Sequence, residues 1–399
     1  GYLIGLLLTL NLLTVHGVNF RILTEGRRRM AGLLVLLAGV LITGAVIVGL
    51  GAAPVAATEN DAFWRVFLRL GRGTLAALVL YAACVLLYRK RAGMVLLHGG
   101  ILFLLIGEFL TALFAVEATL SIKEGETAVY LDRSREMELS FSDTSHPEYD
   151  TVTVIPQGLL KDGAVLGSDD LPFDVRIHRY MANSGRPQDL QSIPESERSR
   201  YPVYEGYGSR LYVKELREVS GAMGARNAPS VDIELIDRST GESLGRYLLS
   251  SWFYPNFVNQ AWDMPTRIRA ADREYKVYLR LAREYLVSPS GHPYSMKLLD
   301  FVHEKYEGTQ MPKDFSSRIL LVNEGEGIER ELRIWMNNPL RYARRTFYQS
   351  GYMPGDSGTI LQVVRNDTWM IPYLACMIVF VGMTAQFMQS LKRYLGRDA

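Results

Sequence analysis

The sequence predicts a membrane protein, in which an α-helical transmembrane bundle of about five spans carries a large, mostly-β extracytoplasmic domain inserted before the last span. Apolar blocks fill the first part of the chain and a short stretch near its C-terminus. The long middle part alternates apolar and polar residues over short runs, as half-buried strands do. The predicted division is 1–116 for the first transmembrane helices, 117–368 for the β-rich domain and 369–399 for the final helix and cytoplasmic tail.

Each predicted span is an apolar run, and a helix needs about 20 such residues to cross a bilayer. The runs lie at 2–15, 30–50, 74–88, 94–116 and 369–388. The first run is short, and the chain begins with glycine, so we expect a fragment or a processed form with a preceding span missing. The third run is also short, and it follows Arg69 and Arg72, whose long side chains can snorkel to the membrane surface.

Basic residues follow the first, third and fifth runs, and positively charged loops stay on the cytoplasmic side. The loop after the second run carries Glu59 and Asp61 instead. The basic clusters therefore fall on one side, which predicts a multi-pass protein of the inner (plasma) membrane with its large domain outside the cytoplasm. The clusters are Arg21 with Arg27, Arg28 and Arg29; Arg89, Lys90 and Arg91; and Lys392, Arg393 and Arg397.

Charge and cysteine content exclude several classes of function. The net charge of +2 gives no reason to expect nucleic-acid binding. Cys84 and Cys376 both lie in apolar runs, so the outer domain has no disulfide and depends on its core. The chain contains no CxxCH motif for covalent haem and no cysteine–histidine cluster with zinc spacing.

The middle of the chain is predicted to be mostly strands. An alternating run follows the fourth span directly, and two pairs of runs flank turn-rich segments, DRSTGESL and NEGEG, which predicts two hairpins. The hairpin strands are expected at 230–236 with 245–250 and at 317–322 with 329–336. Other strands are expected at 127–131, 137–141, 151–155, 173–180, 274–281 and 359–364.

The fourth run contains the sharpest candidate for a functional residue, His98. A polar side chain in a membrane helix is costly and is a functional hypothesis by default. A neutral imidazole can bind haem iron, and Gly99 and Gly100 remove side-chain bulk where a flat macrocycle or another helix would approach. The alternative is a histidine hydrogen-bonded to another helix, with the glycines serving helix packing. The residues alone leave both interpretations open.

Other polar residues have plainer explanations. His16, at a similar predicted depth, is interpreted as a headgroup contact rather than a second ligand, and Glu108 as a partner in a structural pair. His178 alternates with polar residues on a solvated strand face, and His146 and His292 precede prolines in surface loops. The role of His303 stays open, and the aromatic segment 252–262 is expected to be a packed loop.

Three stretches together resemble the ResB family, also called CcsB, of System II cytochrome c biogenesis. They are LLHGGILFLLIGEFLTALFAVEATLSIKEGE, KLLDFVHEKYEGTQMPKDFSSRILL and MNNPLRYARRTFYQSGYM. The resemblance runs from Met94 to the C-terminus, and its most distinctive part is MNNPL with FYQSGY. The earlier spans are similar to the family only in being apolar.

The resemblance implies a role in haem transport and cytochrome c maturation. Family members work with a CcsA-type membrane protein that carries a WWD motif, which this chain lacks, and the pair joins haem to apocytochrome c. The membrane histidine of the family corresponds to His98 in this sequence. The resemblance implies that His98 is an axial ligand for the iron of haem b, which is bound transiently. This chain would be at most one subunit of a haem–apocytochrome c ligating (cytochrome c synthetase) complex.

Two alternatives remain from the sequence. The chain could be a non-haem scaffold, anchored in the lipid bilayer, whose β-domain docks a partner protein. A transporter subunit is disfavoured, because no inverted repeat or broken helix pair is visible.

Overall fold

The computed structural model describes residues 2–19, 21–49, 59–219, 226–254, 264–309 and 312–396. The chain divides into two compact units. The helical unit comprises Gly1–Val116, Leu340–Phe347 and Val364–Ala399. The strand-rich unit comprises Glu117–Pro339 and Tyr348–Val363.

Long apolar helices make up most of the helical unit. Among the described residues, three stretches are long and apolar enough to cross a membrane, Gly26–Val48, Leu70–Phe114 and Ile371–Leu395, and Leu3–Gly17 is a shorter apolar helix. These helices and the large β-rich unit fit a membrane protein, whereas the number of spans and their orientation stay predictions. The α-helices are α1 (Tyr2–Asn19), α2 (Gly26–Val48), α3 (Glu59–Tyr88), α4 (Ala92–Phe114), the short α5 (Glu195–Arg198) and α6 (Ile371–Leu395).

The observed helix boundaries differ from those of the predicted runs, most of all at the start of α3. The run at 74–88 is only the apolar end of α3, which starts at Glu59, because no proline interrupts the polar residues before it. The run at 94–116 corresponds to α4, which ends at Phe114, so Val116 already belongs to a strand. The turn Arg89–Arg91 separates α3 from α4.

A line of glycines brings α4 and α6 into close contact. These glycines occupy every seventh position of α4, at Gly93, Gly100 and Gly107. On α6, a Cβ added to Gly382 would lie 2.6 Å from the backbone nitrogen of Leu97 and 2.9 Å from the carbonyl oxygen of Gly93. Backbone atoms cannot move aside as a side chain can, so this spacing requires glycine. Small residues at a helix interface allow this close approach in membrane proteins.

Replacing Gly382 with alanine is therefore expected to destabilise the packing of α4 on α6 by about 1–3 kcal/mol, the usual cost of overpacking. The midpoint of thermal unfolding of the purified protein in detergent measures this change. Gly44→Ala is the matched control, because a Cβ there meets no atom within 4 Å. We expect no loss of stability in the control, and an equal loss in both variants would argue against the glycine contact.

The strands of the described residues form three larger sheets and a two-stranded one. The largest has eight strands in the order β11-β12-β3-β1-β18-β17-β16, with β4 also paired to β3. The others are ordered β10-β9-β6-β5, β15-β14-β13-β2 and β7-β8. The strands are β1 (Val116–Lys123), β2 (Thr127–Ala128), β3 (Tyr130–Asp143), β4 (Thr151–Pro156), β5 (Val165–Leu166), β6 (Phe173–Met181), β7 (Gln188–Asp189), β8 (Leu211–Tyr212), β9 (Ser230–Asp237), β10 (Ser243–Ser250), β11 (Thr266–Ala270), β12 (Arg273–Tyr285), β13 (Ser295–Lys305), β14 (Pro312–Asn323), β15 (Ile328–Trp335), β16 (Leu340–Tyr342), β17 (Arg345–Tyr352) and β18 (Gly358–Arg365).

The main core of this unit is shared by the largest sheet and the sheet that contains β6, β9 and β10. Phe173 of β6 lies at its centre, with its ring centroid 5.5 Å from that of Phe141 and 5.4 Å from that of Tyr275. All three rings are fully buried. The core therefore forms without a disulfide, and the two cysteines of the chain are free.

Both predicted hairpins are confirmed, because β9 pairs antiparallel with β10 and β14 with β15. Three longer strands, β11, β13 and β17, escaped prediction, and so did the short strands β5, β7, β8 and β16. In β13 the pairing register shifts between Leu298 and Asp300. Such a bulge interrupts the strict alternation that identifies a strand in the sequence.

Candidate functional site

His98 is the seventh residue of α4, about 9 Å along the axis from the helix start at 1.5 Å per residue. Its side chain is half-buried. The two glycines beside it have different environments. A Cβ on Gly100 would lie 2.8 Å from a methyl group of Val379 on α6, whereas one on Gly99 would meet no atom within 4 Å. Gly100 therefore serves helix packing, whereas the surface of α4 is open at Gly99.

The neighbour of His98 is His16 of α1. Their ring centroids lie 4.6 Å apart, with an angle of 59° between the ring planes. The sequence favoured a headgroup contact for His16 over a role as second ligand. The structure brings the two imidazoles together because α1 packs on α4, and no spacing in the sequence encodes that contact.

Both histidines have the same hydrogen-bond arrangement. Nδ1 of His98 lies 2.8 Å from the carbonyl oxygen of Met94, and Nδ1 of His16 lies 2.6 Å from that of Leu12. A carbonyl oxygen only accepts, so each Nδ1 carries a proton and donates it. The lone pair of each neutral ring is therefore on Nε2. A metal-binding histidine has the same arrangement, in which the bond made by one nitrogen orients the other toward the metal.

The imidazoles of His16 and His98 are suitable donors for haem iron. The distance between the two rings, however, allows only one of them to be an axial ligand. Metal–imidazole bonds are about 2 Å long, so two imidazoles on opposite faces of a haem have centroids about 6 Å apart. The rings of His16 and His98 are closer than that, and no macrocycle fits between them. One of these histidines can hold the iron in this arrangement, and the opposite face needs another donor.

Glu108, ten residues beyond His98 on α4, is exposed. The hydrogen bonds and ion pairs of the described residues include none that involves Glu108. The structural pair favoured by the sequence is therefore not found within this part of the chain.

The histidines of the strand-rich unit differ in environment. His178 lies on a strand face, with Nε2 3.1 Å from a carboxylate oxygen of Glu234, and His146 and His292 are exposed, as expected. His303 is buried, and its Nδ1 lies 2.8 Å from Oδ1 of Asp356. Of the aromatic segment 252–262, only residues 252–254 are described, and the rest lies outside the described residues.

Residues of the MNNPLRYARRTFYQSGYM stretch stabilise the fold. Gln349 lies between two buried hydroxyls: Ser317 Oγ donates to its Oε1 at 2.7 Å, and its Nε2 donates to Thr359 Oγ1 at 2.9 Å. In the helical unit, the guanidinium of Arg341 lies 4.0 Å from the centroid of the Trp369 ring. The sequence identified this stretch only as a family signature. Its side chains join strands β14, β17 and β18 and anchor the start of α6.

Comparison with known proteins supports the same relationship. Residues 266–360 match the model of the ResB-like family. Over this segment the chain is similar to the ResB-like family. The matched segment contains His303, Gln349 and Asp356, and it does not include His16 or His98.

One relative is NrfI of Wolinella succinogenes. It is 30% identical to this chain over 108 residues, which is 26% of this chain and 12% of NrfI. The chain thus aligns with only a small part of that relative.

Proposed function

We propose that this protein takes part in cytochrome c maturation. With a CcsA-type WWD-domain partner, it binds haem in the membrane, passes it outward and presents it for attachment to apocytochrome c. The observation that supports this most strongly is the geometry at His98. Its Nδ1 proton is donated to Met94 and its lone pair is on Nε2, and the surface of the same helix is open at the adjacent Gly99.

Each residue of the site has a definite task in this proposal. His98 holds the iron of haem, the cargo, through Nε2, and the carbonyl of Met94 fixes the orientation of the ring. The partner supplies the opposite axial ligand, because His16 is too close to His98 to do so. Haem supplies the vinyl groups to which the thiols of an apocytochrome are joined. This chain supplies no CxxCH thiols itself, so it acts as one subunit of the ligating complex.

The large β-rich unit positions the apocytochrome on the outer side of the membrane. Its core is ordered without disulfides, so its stability does not depend on the redox reactions that keep apocytochrome thiols reduced. Haem b is bound only in transit.

An absorption spectrum of the purified full-length protein, alone and with its CcsA-type partner, tests the proposal. We expect a Soret band from haem in the complex. A complex that forms and carries no haem would contradict haem handling and support the alternative of a non-haem scaffold.

A further inference from the structure

The start of α2 and the turn between α3 and α4 lie at the same end of the helical unit. The backbone nitrogen of Leu23, just before α2, donates to the carbonyl oxygen of Leu87 at 3.0 Å. Arg89 follows Leu87 by two residues, which is at most about 8 Å of chain. The basic residues before and within the first turn of α2 are therefore neighbours of those in the turn Arg89–Arg91.

The last turn of α6 lies at this end as well, because α4 and α6 run antiparallel. A Cβ added to Gly100 would lie 2.8 Å from a methyl group of Val379, and one added to Gly93 would lie 2.9 Å from the backbone nitrogen of Gln386. Lys392 is six residues beyond Gln386, about 9 Å further along the axis and past the start of α4. The basic residues that meet at this end are Arg21, Arg27, Arg28, Arg29, Arg89, Lys90, Arg91, Lys392 and Arg393.

Of these side chains, Arg28 has a clear role in the fold. Its Nε and Nη2 atoms lie 3.3 and 3.4 Å from the carbonyl oxygens of Leu86 and Val85, so it caps the end of α3. The others are exposed, and none forms an ion pair or a side-chain hydrogen bond with a residue in the described part of the chain. Glu25 is the single acidic residue within these segments. The chain thus leaves a concentrated positive charge uncompensated.

Fold stability does not account for this charge. The first turn of α2 contains Arg27, Arg28 and Arg29 and no acidic residue, although the helix dipole disfavours cations at a helix start. Arg89 has φ of +53°, and the left-handed conformation at a non-glycine residue costs free energy and tends to be kept at functional sites. An anion from outside this chain would compensate these costs.

One face of α2 combines a basic residue with a line of exposed apolar residues. Arg27 begins the line, and the residues that follow it at spacings of three or four are Met30, Leu34, Leu37 and Leu41. From Met30 to Leu41 the line runs about 17 Å along the axis. This length is close to half of the hydrocarbon core of a bilayer, which is about 30 Å thick. The face therefore fits a phospholipid of one leaflet, whereas free phosphate would use only its basic end.

We propose that this end of the helical unit is a binding site for an anionic phospholipid. The phosphate contacts Arg27 and the basic side chains of the turn Arg89–Arg91, and an acyl chain lies along the apolar face of α2. The charge pattern predicts that this end is cytoplasmic, and basic pockets between transmembrane helices on that side bind anionic headgroups. The site is separate from haem handling and does not depend on it.

The test is native mass spectrometry of the purified full-length protein in detergent. Separate titrations use dioleoylphosphatidylglycerol and dioleoylphosphatidylcholine, which share acyl chains and differ in headgroup charge. We expect phosphatidylglycerol to bind at least about tenfold more tightly, because each basic side chain near an anionic surface contributes a factor of about five in affinity. Inorganic phosphate should not displace it, because free phosphate lacks the acyl chain.

Two variants that remove the same charge locate the site. Arg27→Gln/Lys90→Gln/Arg91→Gln should reduce the preference for phosphatidylglycerol to less than about twofold, and Arg28 stays in place to cap α3. The matched control replaces exposed residues of the strand-rich unit and should keep the preference: Arg135→Gln/Lys161→Gln/Arg186→Gln.

Three outcomes would overturn the proposal of a lipid site at this end. They are equal binding of the two lipids, a preference retained in the α2 and turn variant, and an equal loss in the control. Displacement of phosphatidylglycerol by inorganic phosphate would overturn the assignment to a lipid and indicate a site for free anions.

Discussion

Replacing His98 with alanine is expected to reduce the haem that co-purifies with the protein and its partner by at least about tenfold. The Nε2 atom of His98 is the proposed iron ligand, and loss even of a hydrogen-bond partner of such a ligand costs about 10–100-fold in metal affinity. Added imidazole should restore haem, because it fits the space that the side chain leaves. Haem per protein, from the Soret absorbance of matched samples, measures the effect.

Two variants make this result specific. His16→Ala removes the neighbouring ring, 4.6 Å away, and should keep most of the haem if His98 is the ligand. His146→Ala, in an exposed loop of the strand-rich unit, should keep all of it. Loss of haem from the His16 variant with retention in the His98 variant would transfer the ligand role to His16.

The Glu138→Leu substitution is expected to destabilise the strand-rich unit by about 3–5 kcal/mol, the usual cost of leaving a buried charge without its partner. Glu138 and Arg280 face each other on β3 and β12. Arg280 Nε donates a hydrogen bond to Glu138 Oε1 at 2.9 Å. Only 5% of the Arg280 side chain and 8% of the Glu138 side chain are exposed. Thermal or denaturant unfolding of the purified full-length protein measures the loss.

The double variant Glu138→Leu/Arg280→Met should recover most of that stability, because it removes both charges together. Glu215→Leu is the surface control, since its ion pair with Arg179 is about half exposed and such pairs contribute about 0–1 kcal/mol. A double variant no more stable than Glu138→Leu would show that the pair has a role beyond compensating its own charges.

Features that depend on a local pattern of residues could be predicted from the sequence. His98 is conspicuous because a single ionisable ring interrupts a long apolar run, and both hairpins were predicted from turn residues between alternating segments. The relationship to the ResB-like family also follows from short stretches of the sequence. In each case the relevant residues are neighbours along the chain.

Features that depend on distant residues were not predictable. His16 meets His98 only through the packing of α1 on α4. The Glu138–Arg280 pair depends on the register between β3 and β12, which lie far apart in the chain. His303 looks like any polar residue of a strand until the turn after β17 brings Asp356 to its ring. A glutamine in a family signature likewise gives no sign that Ser317 and Thr359 will contact it.

The electron paramagnetic resonance spectrum of the ferric haem complex tests the role of His98 most directly, because the spectrum reports the axial ligands themselves. The protein with its CcsA-type partner, loaded with haem, should give a low-spin signal from two nitrogen ligands. His98→Ala, reloaded with haem, should give a high-spin signal that returns to low spin with added imidazole. A low-spin spectrum that is unchanged in His98→Ala at full haem occupancy would contradict iron ligation by His98.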